Sequence, residues 1–196
     1  MAMTPRPAAA RPAIPAWIAA ALALGCASTP ATKYHDRNMD FGAIKTVAVL
    51  PFVNLSKDNL GADRVRDVFS NMLLASGAVY VLPQGEVAKG LLRAGVAIPT
   101  SPSKEEIVKL GQTLSADAVI AGTLKEYGEL RAANTSANGI SLSVQLFETS
   151  SGKVVWAAST TKGGITFVQR LLGGGGEPMN DVTEEAAGEL LRKLFQ

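Results

Sequence analysis

The chain contains one cysteine, Cys26, and the residues around it indicate which chemistry its thiol undergoes. Cys26 directly follows a short apolar segment, residues 16–25, and Arg6 and Arg11 precede that segment without any acidic residue. A basic lead, a short apolar stretch and a small residue before the cleavage point are typical of a secretory signal peptide. The segment is shorter than the ~20 residues that a transmembrane helix requires. The sequence therefore predicts a signal peptide over residues 1–25, with Cys26 at the new amino terminus.

The end of this signal, Leu24-Gly25-Cys26, resembles the lipobox of bacterial lipoproteins. The leucine that normally lies three residues before the cysteine is replaced here by Ala23, with Leu22 and Leu24 on either side. The resemblance implies that the sulfur and the freed amino group of Cys26 are acylated. Because no aspartate follows the cysteine, it also implies the outer membrane, with the protein on the periplasmic face. The alternative is an ordinary secretory signal with an incidental cysteine.

Other groups that could do chemistry are few. Nucleophilic catalysis requires a nucleophile, a base and an orienting group, but the only histidine, His35, lies in a polar segment and no Gly-x-Ser-x-Gly motif is present. One cysteine and one histidine also exclude zinc sites built on several such residues. The glycine run Gly173–Gly176 lacks the Lys-Ser/Thr pair of a phosphate-binding loop. The sequence therefore predicts no enzyme, no metal site and no cofactor.

Charge excludes a further class of partner. The formal net charge of +2 equals the contribution of Arg6 and Arg11, so the chain that begins at Cys26 is formally neutral. Nucleic-acid binding calls for a clustered basic face, which such a chain does not indicate. The apolar fraction of 47% is sufficient for one packed domain. We expect the lipid bilayer, reached through acylated Cys26, and an envelope protein or a second copy as partners.

Two places in the chain are candidate binding sites. Asn54 and Asp58 lie in a polar loop that follows an apolar strand, and open α/β sheets often bind ligands beyond the ends of their strands. Phe147 and Trp156 lie on a predicted late hairpin, where an exposed aromatic side chain would favour docking of a partner. The alternatives are a solvated turn for the loop and a core position for Trp156.

Periodicity predicts the elements that position these residues. Residues 45–52 are almost all apolar, which is typical of a strand buried on both faces. Ser103 and Glu106 form a capping-box pattern at the start of a helix. Further strands are predicted over residues 78–82 and 118–124, and further helices up to Gly77, over residues 86–94 and from Asn180 or Asp181 to Phe195.

The late part of the chain follows another pattern. Residues 140–146 alternate between apolar and polar types, which predicts a half-exposed strand. Residues 149–153 are predicted to form a turn, and residues 154–158 the second strand of the hairpin. The fold class is therefore α/β (α+β): a mixed β-sheet with helices packed in two or three layers and a late antiparallel β-hairpin. We assign residues 26–43 to a tether and residues 44–196 to the domain, with an edge-packed segment as the alternative for residues 36–43.

Three sequence pieces together resemble one family of envelope domains. They are residues 47–52 with Asn54, residues 116–122, and residues 148–156. Within residues 44–160 they are similar to the α/β domain shared by CsgG, LpoB and the amino-terminal domain of TolB. This resemblance implies a non-enzymatic outer-membrane lipoprotein that binds an envelope protein or its own copies.

Two other functions stay open at this stage. One is an oligomeric secretion channel of the CsgG kind, although each membrane-crossing strand of such a pore needs ~9–11 alternating residues. The only clear alternation, residues 140–146, belongs to the domain's own hairpin. The other is a binder of small ligands or cell-wall fragments, which a polar pocket beyond the first strand would support.

Overall fold

The computed structural model describes residues 33–132, 135–163 and 176–196. The predicted signal peptide and Cys26 lie outside these residues, as does most of the glycine run Gly173–Gly176. The described strands are β1 (Lys33–His35), β2 (Thr46–Val49), β3 (Val53–Asn54), β4 (Tyr80–Val81), β5 (Ala118–Ala132), β6 (Thr135–Glu148) and β7 (Lys153–Gly163). The described helices are α1 (Gly61–Ala75), α2 (Gln84–Ala94), α3 (Lys104–Leu114) and α4 (Met179–Phe195).

All seven strands form one mixed sheet in the order β1-β7-β6-β5-β2-β4, and β3 lies beside β5. The early strands β2, β4, β5 and β3 pair in parallel, while β5, β6, β7 and β1 pair antiparallel. The predicted mixed sheet and late antiparallel hairpin are thereby confirmed. The strands β5 and β6 are longer than predicted and pair with each other as far as Ala132 and Thr135.

Helices cover both faces of this sheet, so the domain has three layers. The helices α1 and α4 contribute to one apolar core, and α2 and α3 contribute to a second core on the opposite face. Successive residues of β2 alternate between the two cores: Val47 and Val49 belong to the first, and Ala48 to the second. A strand buried on both faces is thus confirmed, because each side chain of β2 meets helices whichever way it points.

Local signals in the sequence set the junctions between elements. Ser103 and Glu106 form both hydrogen bonds of the capping box at the start of α3, and Gly77 adopts the left-handed φ of 66° just after α1. Asp117 precedes β5, and its Oδ2 accepts hydrogen bonds from the backbone N–H groups of Lys45 and Thr46, both at 2.9 Å. The helix start, the helix end and the strand start thus have the hydrogen bonds and backbone conformation that these residue types predict.

Residues 33–43, which fall within the predicted tether, lie on the edge of the domain. Lys33–His35 pair with β7, and the backbone N–H of Asp36 donates to the Val155 carbonyl at 2.8 Å. The ring of His35 stacks on Phe41, with ring centroids 4.3 Å apart. The edge-packed alternative therefore applies to this segment, and it extends to residue 33.

Within the described ranges, no helix combines the length and apolar character needed to cross a bilayer.

Candidate binding surfaces

The β3–α1 loop, residues 55–60, is held in shape by the side chain of Asn54. The Asn54 Nδ2 group donates to the carbonyl of Asp58 at 2.8 Å, and its Oδ1 accepts from the backbone N–H and hydroxyl of Ser56, at 3.0 and 2.7 Å. Both ends of the amide are therefore engaged within the loop. Asn54 therefore stabilises the conformation of the loop, and its direct contact with a ligand stays a prediction.

Asp58 is bound in a similar way. Its Oδ1 accepts from the Leu60 N–H at 2.9 Å, and its Oδ2 pairs with Arg64 Nη1 at 2.9 Å. The Asp58 carbonyl also accepts from the N–H of Gly61 at 3.0 Å. Asp58 thus joins the loop to the first turn of α1.

This fixed loop presents two apolar side chains to solvent. Leu55 is 65% exposed and Leu60 is 56% exposed. Neither leucine was among the candidate residues, although two leucines within an otherwise polar loop were the available signal. Because an exposed leucine on an ordered loop gains from burial against a partner, these two residues are the best-placed contact groups of the loop.

A groove of about 540 Å³, the loop groove, lies between this loop and residues 125–129 of β5. Its lining mixes positive, negative and apolar side chains: Leu55, Ser56, Lys57, Asp58, Lys125, Glu126, Tyr127 and Glu129. The groove lies beyond the parallel strands β2 and β3, where the topology of an open α/β sheet favours binding. Asp58 lines this groove and Asn54 does not, and contact of either residue with a ligand stays a prediction.

The two aromatic candidates have different surroundings. Trp156 is fully buried, and its indole Nε1–H donates to the carbonyl of Lys193 in α4 at 3.2 Å. A buried indole has no surface to offer a partner, so the structure gives Trp156 the core position that was its alternative. Phe147 is half-buried beside the core of α2 and α3 and lines a second groove.

This second groove, the neutral groove, has a volume of about 220 Å³. It lies where residues 100–102, which precede α3, meet the face of β5 and β6. Its lining contains no charged side chain: Val53, Thr100, Ser101, Pro102, Ala121, Gly122, Thr123, Ser143, Gln145 and Phe147. Sequence reasoning did not find this groove, because residues far apart in the chain form it.

Beside the neutral groove, small side chains continue across the sheet. Directly opposite residues of antiparallel strands point to the same face, and the register places three rows on the face turned away from α4. The first row is Tyr34, Ala157, Gln145 and Ala121, the second is Ser159, Ser143 and Thr123, and the third is Thr161 and Ser141. All nine residues of this open face are exposed or half-buried.

Comparison with known protein families assigns the chain to one family. The family model described as "Putative lipoprotein GNA1162-like" matches residues 39–166, which is more than half of the sequence. The chain belongs to the GNA1162-like family. The resemblance to an envelope lipoprotein family is thereby confirmed, and the match includes both grooves. A search of curated proteins finds no significant match to this chain.

Two solved structures with TM-scores above 0.5 share the fold of this GNA1162-like chain, and a third aligns with part of it. The PelC dodecamer from Paraburkholderia phytofirmans aligns over 84% of this chain and 95% of that chain, with 15% identity and a TM-score of 0.55. Lipoprotein GNA1162 from Neisseria meningitidis aligns over 77% and 95%, with 22% identity and a TM-score of 0.53. The LpoB C-terminal domain from Escherichia coli aligns over 64% and 87%, with 14% identity and a TM-score of 0.48.

Proposed function

We propose that this GNA1162-like chain is a non-enzymatic binding protein of the bacterial cell envelope, anchored by acyl chains on Cys26. Membership of a lipoprotein family supports this anchor, as does the position of Cys26 directly after the apolar segment. Two or more acyl chains, at ~0.8 kcal/mol per buried CH₂, would hold the protein firmly in a membrane. The proposed location is the periplasmic face of the outer membrane, where the anchor raises the effective concentration of the domain for neighbouring envelope proteins.

The β3–α1 loop is the proposed contact surface for a protein partner. The observation that carries this proposal is that a loop fixed by Asn54 and Asp58 leaves Leu55 and Leu60 more than half exposed. A loop that is already ordered loses little conformational freedom on binding, so more of the contact energy appears as affinity. The neighbouring lysine and glutamate side chains of the loop groove would add orientation.

Crosslinking in intact cells tests the loop. A photoreactive amino acid at Leu55 or Leu60 should give a discrete crosslinked product, and the same amino acid at Gln112, an exposed position on α3, should not. Leu60→Asp should then reduce the yield from position 55, because burial of a carboxylate in an apolar contact is unfavourable. Equal products from all three positions would contradict a partner site at the loop.

The anchor is tested separately by intact-mass measurement of the protein extracted from membranes. The expected mass corresponds to a chain that begins at Cys26 and carries acyl groups. The variant Cys26→Ser should lose both the acyl mass and membrane association. A free thiol, or a different amino terminus, would show that lipid on Cys26 is not the anchor.

Self-association is the second candidate, because the PelC proteins that share this fold are described as dodecamers. The partner at the loop would then be another copy of this chain, either as an assembly factor or as part of a secretion channel. Mass photometry in mild detergent separates these cases from a monomer that binds another protein. A stable ring that conducts ions in a planar bilayer would favour the channel, and a monomer without conductance would exclude it.

A further inference from the structure

The neutral groove differs from the loop groove in charge. The loop groove is lined by charged side chains on both walls, whereas the ten residues of the neutral groove carry none. An ionic ligand would find no partner for its charge there, and burial of an unpaired charge is unfavourable. We propose that the neutral groove binds an uncharged oligosaccharide, and that the open face continues the site for further sugar units.

The lining of the groove combines apolar groups with hydroxyl groups, as a sugar ring does. Phe147, Ala121 and Val53 provide an apolar floor, and the hydroxyl groups of Thr123 and Ser143 lie beside it. A pyranose ring offers apolar C–H groups on its faces and hydroxyl groups around its edge. Ligand sites commonly combine an apolar lining with a few placed polar groups, and the sheet face of this groove offers both.

The polar side chains of the groove are available for a ligand. Ser143, Thr123 and Gln145 form no side-chain hydrogen bond with any other described residue. Gln145 is exposed, and its amide offers donors and an acceptor together. Polar groups that are positioned by a sheet but not paired within it can form hydrogen bonds with a ligand without first breaking internal ones.

The open face extends the same chemistry away from the groove. From β5 to β1 it crosses four strands, which corresponds to about 14 Å at the usual spacing between strands. Ser159 and Thr161 add hydroxyl groups along the way, and Tyr34, 50% exposed, adds an aromatic ring at the far side. This length fits several linked sugar units rather than a single one.

The composition of the face favours a glycan over a protein surface. Cores of protein interfaces are enriched in large aromatic side chains, methionine and arginine, and depleted in serine and alanine. The open face contains three serines and two alanines among its nine residues. Exposed strand faces also bind oligosaccharides in other folds, such as the OB-fold.

The test uses the full acylated chain, purified in a detergent without a sugar headgroup, and measures binding of chitotetraose and cellotetraose by titration calorimetry. Both are neutral β-linked tetrasaccharides, and at least one should bind. Ser143→Ala and Gln145→Ala should each weaken binding about twofold to tenfold, which corresponds to the loss of one hydrogen bond. Gln112→Ala, the same change on the exposed surface of α3, should leave the affinity unchanged.

Three results of the binding titrations would overturn the proposal. They are the absence of binding by both tetrasaccharides, unchanged affinity in both groove variants, and stronger binding of an anionic oligogalacturonate than of the neutral sugars. Protection of the open face by a second copy of the chain in hydrogen exchange would likewise assign it to self-association. This experiment requires neither a protein partner nor contact at the β3–α1 loop, so its failure is separate from failure of the proposed function.

Discussion

Asp117 shows how one side chain can join distant parts of the chain. Its carboxylate accepts hydrogen bonds from two backbone N–H groups at the start of β2, and its own N–H donates to the Thr46 carbonyl at 2.9 Å. The carbonyl of Asp117 in turn accepts from the Thr149 hydroxyl at 2.8 Å. The start of β2, the start of β5 and the β6–β7 turn are therefore connected through this one residue.

We expect Asp117→Ala to lower the free energy of unfolding by about 1–3 kcal/mol, because two backbone donors lose a charged acceptor. Asp117→Asn should lose less, since the amide oxygen can still accept. Chemical denaturation of both variants measures the difference. If both variants are as stable as the natural protein, the carboxylate hydrogen bonds do not contribute to the fold.

At the scale of elements, Gly111 controls how closely α3 approaches the turn after β6. A Cβ atom added at Gly111 would lie 2.3 Å from the Cβ of Thr149, which is too close for two non-bonded carbon atoms. Thr149 itself is buried and hydrogen-bonded to the carbonyl of Ala116 at 2.6 Å. It therefore cannot move aside without breaking that hydrogen bond.

Gly111→Ala should therefore destabilise the domain by about 1–3 kcal/mol, as overpacking usually does. Gly85, in the first turn of α2, is the matched control, because an added Cβ there meets no atom within 4 Å. Gly85→Ala should be neutral or stabilising by up to about 1 kcal/mol, owing to the higher helix propensity of alanine. The thermal unfolding temperature should fall in Gly111→Ala and should stay level or rise in Gly85→Ala, and an equal decrease in both variants would show that the Gly111 contact is not the cause.

The helix α4 is fastened to β7 by a chain of ion pairs. Lys162 lies between Glu185 and Glu189, at 2.8 and 2.7 Å, and Lys193 pairs with Glu189 and donates to the Ser159 carbonyl at 3.1 Å. Partial burial acts to raise the pKa of Glu189, but the hydrogen bonds from both lysines outweigh it and lower the pKa to about 2. The hydrogen bond from Lys162 to Glu185, followed by that to Glu189, raises the pKa of Lys162.

A depressed pKa means that ionised Glu189 stabilises the folded state above pH 4.5, its ordinary value, and that this contribution is lost as the pH falls towards 2. The free energy of unfolding should therefore drop over this range in the natural protein. In Glu189→Gln the drop should be smaller by about 1–2 kcal/mol, a value reduced for partial solvent screening. Glu105→Gln, at an exposed position of α3, should follow the natural protein, and identical curves for all three would contradict this role of Glu189.

For the whole molecule, β1 limits how far the domain can lie from its proposed anchor. β1 begins at Lys33 and is paired with β7, so only residues 26–32 separate it from acylated Cys26. Even fully extended, these seven residues span about 25 Å. The proposed anchor would thus hold the domain close to the membrane surface.

Energy transfer from a fluorophore on Lys33→Cys to acceptor lipids in vesicles should therefore be efficient. Insertion of 20 Gly/Ser residues after Thr29 should lower the efficiency, because the mean end-to-end distance of a flexible chain grows with its length. The variant Cys26→Ser, which lacks the anchor, serves as the baseline. Equal efficiency with and without the insertion would show that residues 26–32 do not set the distance.

Many residues of the candidate site could not be predicted from the sequence, and the physical reason differs between the loop and the neutral groove. The polar loop after the first strand was identified correctly, because its position follows from the order of elements. Which of its side chains point outwards depends on the hydrogen bonds of Asn54 and Asp58, so Leu55 and Leu60 were not identified. The neutral groove brings residues 100–102 against β5 and β6, and no local pattern predicts such a meeting.

The sequence by itself determined the local features of this protein: a strand apolar on both sides, the capping box of α3, the glycine that ends α1 and the late hairpin. Each depends on residues within one or two turns of each other, where side-chain type and backbone conformation are directly linked. Only the tertiary structure decided that residues 33–35 complete the sheet, that Trp156 is covered by α4 and that the nine residues of the open face stay exposed or half-buried. These outcomes depend on pairing such as that of Lys33 with Ala158, where the packing of distant elements, and not local propensity, selects the arrangement.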